Sequence, residues 1–277
     1  MKINQVEHIS IQRINAGKIT EMNDQVAVEE PLEIQLAYST ATGRMQKNIA
    51  VIMRTPGNDE ELAAGFLFTE GVIKNKESIQ EIKHLSFDEN RALVILHENI
   101  QPALVNLTKN FYSTSSCGIC GKASIEAIRT VSFYQDEKDT ININASVLYH
   151  LQDNLNKQQV VFENTGGIHA SALFSLEGEF IMLREDVGRH NALDKIIGSA
   201  LIAGQLPLRS NILFLSGRAS FELVQKAAMA GIKIIAAVGA PSSLAVELAK
   251  EADITLIGFL RDGRFNLYSG YQRLKLL

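Results

Sequence analysis

The stretch NILFLSGRASFELVQKAAMAGIKIIAAVGAPSSLAVELAKEADITLIGF, residues 211–259, decides the fold class. Three short apolar runs, at 211–215, 232–238 and 253–259, alternate with two segments of helical length and pattern, 221–230 and 243–249. Strands separated by helices of about ten residues require crossover connections, which imply an α/β fold with a mainly parallel sheet. The first two runs end in small and polar residues, Ser216-Gly-Arg-Ala-Ser220 and Gly239-Ala-Pro-Ser-Ser243. In open α/β sheets ligands settle outside the carboxyl ends of strands, where helix N-termini offer free N–H groups. Gly217 permits close approach, Ser216, Ser220 and Ser242 supply hydroxyls, and Arg218 adds charge. Singly, each is a short serine-capped loop. Two on one sheet edge point to an anionic, nucleotide-like ligand.

Upstream, a helix is expected over 189–203, with Leu193, Ile196, Ile197, Ala200 and Leu201 on one face. A hairpin is expected over 168–183, turning at Glu177-Gly178. Between them, Arg184-Glu-Asp-Val-Gly-Arg-His-Asn191 concentrates polar groups at a strand's carboxyl end, which favours a functional role. His190 and Asp194 stand four apart on one helical face and are placed to orient one another. Thr165-Gly166-Gly167-Ile168-His169 sets a glycine pair and a histidine at a strand start, where a tight turn with a satisfied core histidine is the commoner outcome. Downstream, Phe259, Leu260, Arg261, Asp262, Gly263 and Arg264 suit a turn that presents guanidinium forks to phosphate, or a solvated hairpin. Residues 257–277 carry Arg261, Arg264, Arg273 and Lys275 against Asp262, a side-chain sum of +3.

The first third reads as β-rich, with strands expected at 5–14, 31–38 and 48–54. One helix interrupts them: Asn58 is the expected cap, Asp59, Glu60 and Glu61 fill the first turn, and Gly71 is the stop. An amphipathic segment is expected over 145–156. The chain therefore divides into a β-rich N-terminal subdomain over 1–112, a loop over 113–122 holding both cysteines, and an α/β part over 123–277.

The whole chain has 277 residues, 27 Lys+Arg against 31 Asp+Glu, a net charge of −4, 46% hydrophobic residues and two cysteines. Two cysteines exclude a disulfide scaffold, and the apolar fraction excludes a disordered chain. Mild acidity argues against nucleic-acid binding, which needs a concentrated basic face. No run is apolar enough to span a bilayer, and the start lacks a signal-peptide pattern, so a cytoplasmic protein without a membrane partner is expected.

Cys117-Gly-Ile-Cys120-Gly121 carries both thiols just before an expected helix, beside Lys122, conditions that lower a thiol pKa. Reactive sulfur chemistry competes here with half a zinc site, which His169, His190 or a second subunit would have to complete. Walker, Rossmann and zinc-deaminase signatures are all missing.

Taken in order, eight blocks resemble the FdhD family of formate dehydrogenase accessory sulfurtransferases. They are Val28-Glu-Glu-Pro-Leu-Glu-Ile34, Met53-Arg-Thr-Pro-Gly57, Glu61-Leu-Ala-Ala-Gly-Phe66, Ser115-Ser-Cys-Gly-Ile-Cys-Gly121, Thr165-Gly-Gly-Ile-His-Ala170, Arg184-Glu-Asp-Val-Gly-Arg-His-Asn191, Ser216-Gly-Arg-Ala-Ser-Phe221 and Ala240-Pro-Ser-Ser-Leu244. Lys233 and Gly239 depart from the expected proline and serine. The resemblance implies a relay in which a cysteine desulfurase passes persulfide sulfur to Cys117, with Cys120 assisting or sharing the load. The sulfur then goes to a molybdenum or tungsten cofactor bearing two pterin guanine dinucleotides, bound as cargo and delivered to formate dehydrogenase. It also implies a deaminase-like three-layer second half, a cofactor-binding strip from Phe259 to Arg264, no resident metal and a homodimer. His169, His190 and Asp186 are candidates for guanine or pterin contacts. The competing expectations are a non-catalytic cofactor chaperone, whose cysteine pair docks a partner or binds zinc, and a thioredoxin-like redox role.

Overall fold

The computed structural model describes residues 4–85, 88–104, 134, 139–261 and 263–276. It opens with a hairpin of β1 (Val6–Asn15) and β2 (Lys18–Ala27), paired residue for residue from Val6↔Ala27 to Asn15↔Lys18. Ala16 and Gly17 both have positive φ at its turn, as a two-residue loop matched to strand twist requires. Next come β3 (Glu30–Thr40), β4 (Gly43–Arg54), α1 (Asp59–Thr69), β5 (Ile79–Leu85) and β6 (Asp88–Leu96), whose strands form a sheet ordered β4-β3-β6-β5. Asn58 precedes α1 in a left-handed conformation, and its side chain makes no capping bond, contrary to expectation. Asp59 instead takes both forks of the buried Arg54 guanidinium, at 3.0 and 2.8 Å. Gly71 does end the helix, at φ 72°.

The second half contains β7 (Ile143–Asn144), α2 (Ala145–Tyr149), α3 (Leu151–Asn156), α4 (Val160–Thr165), β8 (His169–Ser175), β9 (Phe180–Asp186) and α5 (Arg189–Ile202). It continues with β10 (Asn211–Leu215), α6 (Phe221–Met229), β11 (Ile234–Ala237), α7 (Ser243–Glu251), β12 (Thr255–Arg261), β13 (Arg264–Ser269) and β14 (Leu274–Lys275). The amphipathic segment expected over 145–156 forms two short helices. Six strands make one sheet in the order β13-β12-β11-β10-β8-β9. Only its centre is parallel: β10 and β12 flank β11 in parallel, whereas β8, β9 and β13 pair antiparallel. For β8–β9 and β12–β13 the reason is local, because each pair is joined by a hairpin too short for a crossover, whereas β10 reaches β8 only after β9 and α5.

Both sheet faces are covered, which explains the unbroken apolar runs. Leu213, Leu215, Ile235, Ala237 and Leu256 share a cluster with residues of α5, α6 and α7. Ile212, Phe214, Ile234, Ala236 and Ile257 join Leu148, Leu151 and Leu155 of α2 and α3. The result is a three-layer α/β sandwich. The first cluster also takes in Leu32, Ile34 and Leu36 of β3 and Leu62, Leu67 and Phe68 of α1, so both halves contribute to one core. Helices α1 and α5 meet at glycines: a Cβ on Gly65 would lie 1.9 Å from the Asp194 carbonyl oxygen, and one on Gly198 would lie 1.8 Å from that of Glu61. The expected subdomain boundaries near 112 and 122 lie outside the described residues. No helix among the described residues is long and apolar enough to cross a membrane.

Candidate ligand site at the carboxyl edge of the sheet

Past the ends of β10 and β11 the chain keeps its parallel hydrogen bonding instead of fraying into independent loops. Val238 N donates to Leu215 O at 3.0 Å, Gly239 N to Gly217 O at 2.9 Å, and Ser242 N to Ala219 O at 3.1 Å. Phe259 N then donates to Gly239 O at 3.2 Å, so three segments expected to bind ligand are stitched together through the backbone. A Cβ on Gly239 would come within 3.0 Å of the Arg218 backbone N and Cα, so the absence of a side chain eases this approach. The glycine that stands here in place of the expected serine suits this close approach.

A cavity of about 630 Å³ lies at this edge, lined by Gln152, Leu155, Gln159, Phe162, Gly166, Gly167, Ile168, His169, Val187, Ser216 and Val238. His169 and Ser216, expected from sequence, come together here. Ala170 N donates to Ser216 Oγ at 2.8 Å, which anchors the start of β8 and leaves the hydroxyl proton of Ser216 to donate elsewhere. His169 packs over Gly217, where an added Cβ would sit 3.4 Å from Nδ1. Burial, together with the Arg189 and His190 charges, holds the His169 imidazole below the usual histidine value, against an opposing pull from Asp186. The ring is therefore neutral at pH 7, with one donor and one acceptor nitrogen.

His190 does not orient Asp194. Its Nε2 lies 3.4 Å from Ser220 Oγ and 3.8 Å from Glu222 Oε2, at the start of α6. His190 holds the Glu222 carboxyl well below its ordinary value, to about 2, against some burial penalty. Asp194 turns the other way and accepts from Lys226 Nζ at 2.8 and 3.0 Å and from Thr69 Oγ1 at 2.8 Å. Residues four apart on a helix share only a broad face, and a lysine on α6 captured this carboxylate.

The charged run before α5 is mostly structural, contrary to expectation. Arg184 forks onto Glu61 of α1, at 2.5 and 2.7 Å. Asp186, fully buried, accepts from Thr55 N, Gly188 N and Asn191 Nδ2 and pairs with Lys195 at 2.8 Å, so it is no ligand contact. Glu185 accepts from Val161 N at 3.1 Å and Phe162 N at 3.0 Å, fixing the first turn of α4 beside the cavity. Ser242 caps α7 by accepting from Ala245 N at 3.3 Å.

In the basic tail, Phe259 has φ +54° at a register shift of β12 and is 37% exposed. Non-glycine residues held in this left-handed region are strained, and such strain gathers at binding sites. Arg261, Gly263 and Arg264 are exposed at the β12–β13 turn, Leu260 is packed in the core, and Asp262 lies outside the described residues. Arg273 is withdrawn from any phosphate role, because it is buried against Asp139 at 2.8 Å and against Asp253. The free basic charge of the tail is smaller than the sequence sum.

Cys117 and Cys120 lie outside the described residues. Among the described residues no group of three or more His, Cys, Asp and Glu could hold a metal ion. Gln159, Phe162 and Glu222 were not foreseen, and Glu185 only as one member of the polar run before α5. A glutamine before a short helix carries no pattern of its own, and Glu222 is an ordinary first-turn acid until α5 brings His190 to it.

Residues 27–275 match the profile of the FdhD/NarQ family. The chain belongs to the FdhD/NarQ family. The family match begins at the last residue of β2, so nearly all of the N-terminal hairpin precedes it. A sulfur carrier protein FdhD of Streptomyces avermitilis is 46% identical over 278 residues, spanning 98% of this chain and 96% of the relative. Its counterpart in Sulfolobus acidocaldarius is 42% identical over 272 residues, spanning 98% of this chain and 100% of the relative. A crystal structure from Desulfotalea psychrophila, of a protein proposed there to be a formate dehydrogenase accessory protein, superposes with a TM-score of 0.76. It is 27% identical, with 98% of this chain and 100% of that one covered.

Proposed function

We propose that this FdhD/NarQ family member is a cytoplasmic, homodimeric sulfurtransferase. It takes persulfide sulfur from a cysteine desulfurase and passes it to a molybdenum cofactor carrying two pterin guanine dinucleotides, before that cofactor enters formate dehydrogenase. The observation that carries the reading is the meeting of His169 and Ser216 in one cavity, at the sheet edge where the Ser216–Ala219 and Gly239–Ser242 loops are joined by backbone hydrogen bonds. It stands in a chain whose relatives are named sulfur carrier proteins.

In the first step the Cys117 thiolate attacks the terminal sulfur of the donor persulfide. The donor S–S bond breaks, its thiolate leaves, and Cys117 holds the persulfide, with no external oxidant needed. Release of that sulfur as sulfide requires two electrons. The Cys120 thiolate supplies them by attacking Cys117 Sγ, which forms a Cys117–Cys120 disulfide for a cellular dithiol to reduce. The chain's own contribution at the ligand end is to hold the cargo: neutral His169 and the Ser216 hydroxyl orient it, and Arg218, Arg261 and Arg264 face its phosphates.

Incubating the protein with a desulfurase and cysteine should add the mass of one sulfur to the peptide containing Cys117 and Cys120. Absence of the adduct, or full activation of formate dehydrogenase by a Cys117→Ala, Cys120→Ala double variant, would leave only cofactor carriage.

A further inference from the structure

The His169–Ser216 cavity contains a buried polar side chain that no step above employs. Gln159 lines it, is only 5% exposed, and its Nε2 has no hydrogen-bond partner among the described residues. A buried amide N–H without an acceptor is costly and uncommon in native structures, so such a group calls for a missing partner. Its position is not slack. Gln159 directly precedes α4, whose first turn is clamped by the Glu185 carboxylate through Val161 N and Phe162 N.

The other walls define what the partner looks like. Leu155, Phe162 and Val238 offer apolar surface, and a volume of about 630 Å³ accommodates a fused bicyclic ring with part of its substituent. The remaining polar side chains are Gln152, His169 and the Ser216 hydroxyl, which already accepts from Ala170 N. Of the four polar side chains, Gln159 through Nε2 and Ser216 through its O–H present donors. A ring that places a carbonyl oxygen here satisfies them. One that places an exocyclic amine there sets donor against donor.

We propose that Gln159 is the specificity-determining residue of this cavity. It donates Nε2–H to the carbonyl oxygen of a fused bicyclic base, the chemistry shared by guanine and a 4-oxopterin ring, and so rejects adenine. The assignment rests on the reading that a guanine dinucleotide pterin is the cargo.

Isothermal titration of the full-length protein with GDP, ADP and a 4-oxopterin tests it. At least one carbonyl-bearing ligand should bind tenfold or more tighter than ADP. Gln159→Glu, which keeps the shape and replaces the donor by an acceptor, should weaken that ligand at least tenfold and leave ADP unchanged. Tight GDP places the guanine end in the cavity, and tight pterin with weak GDP places the other end there. Wild-type protein that takes ADP as well as GDP overturns the proposal even if the variant fails to fold. GDP binding unaffected by Gln159→Glu, with no pterin binding, also overturns it and leaves the cargo reading intact. No binding of either ring overturns both.

Discussion

Gly198→Ala should destabilise the protein, although helix propensity alone argues for the opposite sign. Alanine in a helix interior is favoured over glycine by about 0.8–1 kcal/mol. Against this stands the crossing of α1 and α5, where the new Cβ would lie 1.8 Å from Glu61 O and 2.8 Å from Gly65 N. A carbon meets a carbonyl oxygen comfortably at about 3.3 Å, so the helices must part by roughly 1.5 Å. The obstructing atoms are backbone and cannot rotate away. A gap of about 0.5–1 Å already forfeits a quarter to a half of each contact's attraction, and overpacking in a filled core costs about 1–3 kcal/mol or more. The loss spreads along α1, whose Leu62, Leu67 and Phe68 are fully buried. An overlap this deep with backbone atoms sits at the upper end, about 3 kcal/mol, so after subtracting the propensity gain the net loss is about 2 kcal/mol. At about 2–4 °C per kcal/mol for a chain of this size, Tm should fall by about 4–8 °C. Urea unfolding followed by circular dichroism provides the equilibrium measure, with a lowered midpoint at unchanged slope. Gly65→Ala should behave alike, and the double variant should lose less than the sum, because the first substitution has already separated the helices. An unchanged or raised midpoint for Gly198→Ala would refute the close-packed crossing.

Asp194→Ala leaves the buried Lys226 ammonium with only Thr69 Oγ1 and the more distant Glu70 carboxylate and should cost about 3 kcal/mol by urea unfolding, whereas Asp194→Leu combined with Lys226→Met should recover most of that loss. Glu222 is held near 2 in the folded protein, below its unfolded value, so its contribution is complete above the ordinary carboxylate pKa and is lost as pH falls toward 2. Stability measured between pH 5 and pH 2 (a window of about three units) should accordingly fall less steeply in Glu222→Gln than in the parent protein, and equal slopes would refute the His190 pairing.

Much of the fold was legible because its signals are local. The strands at 211–215, 232–238 and 253–259 and the helices between them appear close to their expected places, since period and length are set within each segment. Gly217 and Ser216 were legible for the same reason, lying where a strand must end and a helix begin. Asp194 was not: its two eligible partners, four residues away on its own helix and on α6, cannot be ranked without knowing where α6 lies. Arg273 was counted as free charge, yet Asp139 and Asp253, 134 and 20 positions away, enclose it.

By itself the sequence determined the α/β class, the parallel centre of the sheet, the edge on which ligand loops gather and the family that the motif order announces. Tertiary structure alone decided how the sheet is finished with antiparallel strands, and that both halves share one core through two facing glycines. It also decided which polar residues serve the cavity and which serve the scaffold. The division follows from range. Backbone propensity and hydrophobic period act between neighbours in the chain, whereas a carboxylate, a guanidinium or the amide of Gln159 takes its role from groups that only the folded chain brings within hydrogen-bonding distance.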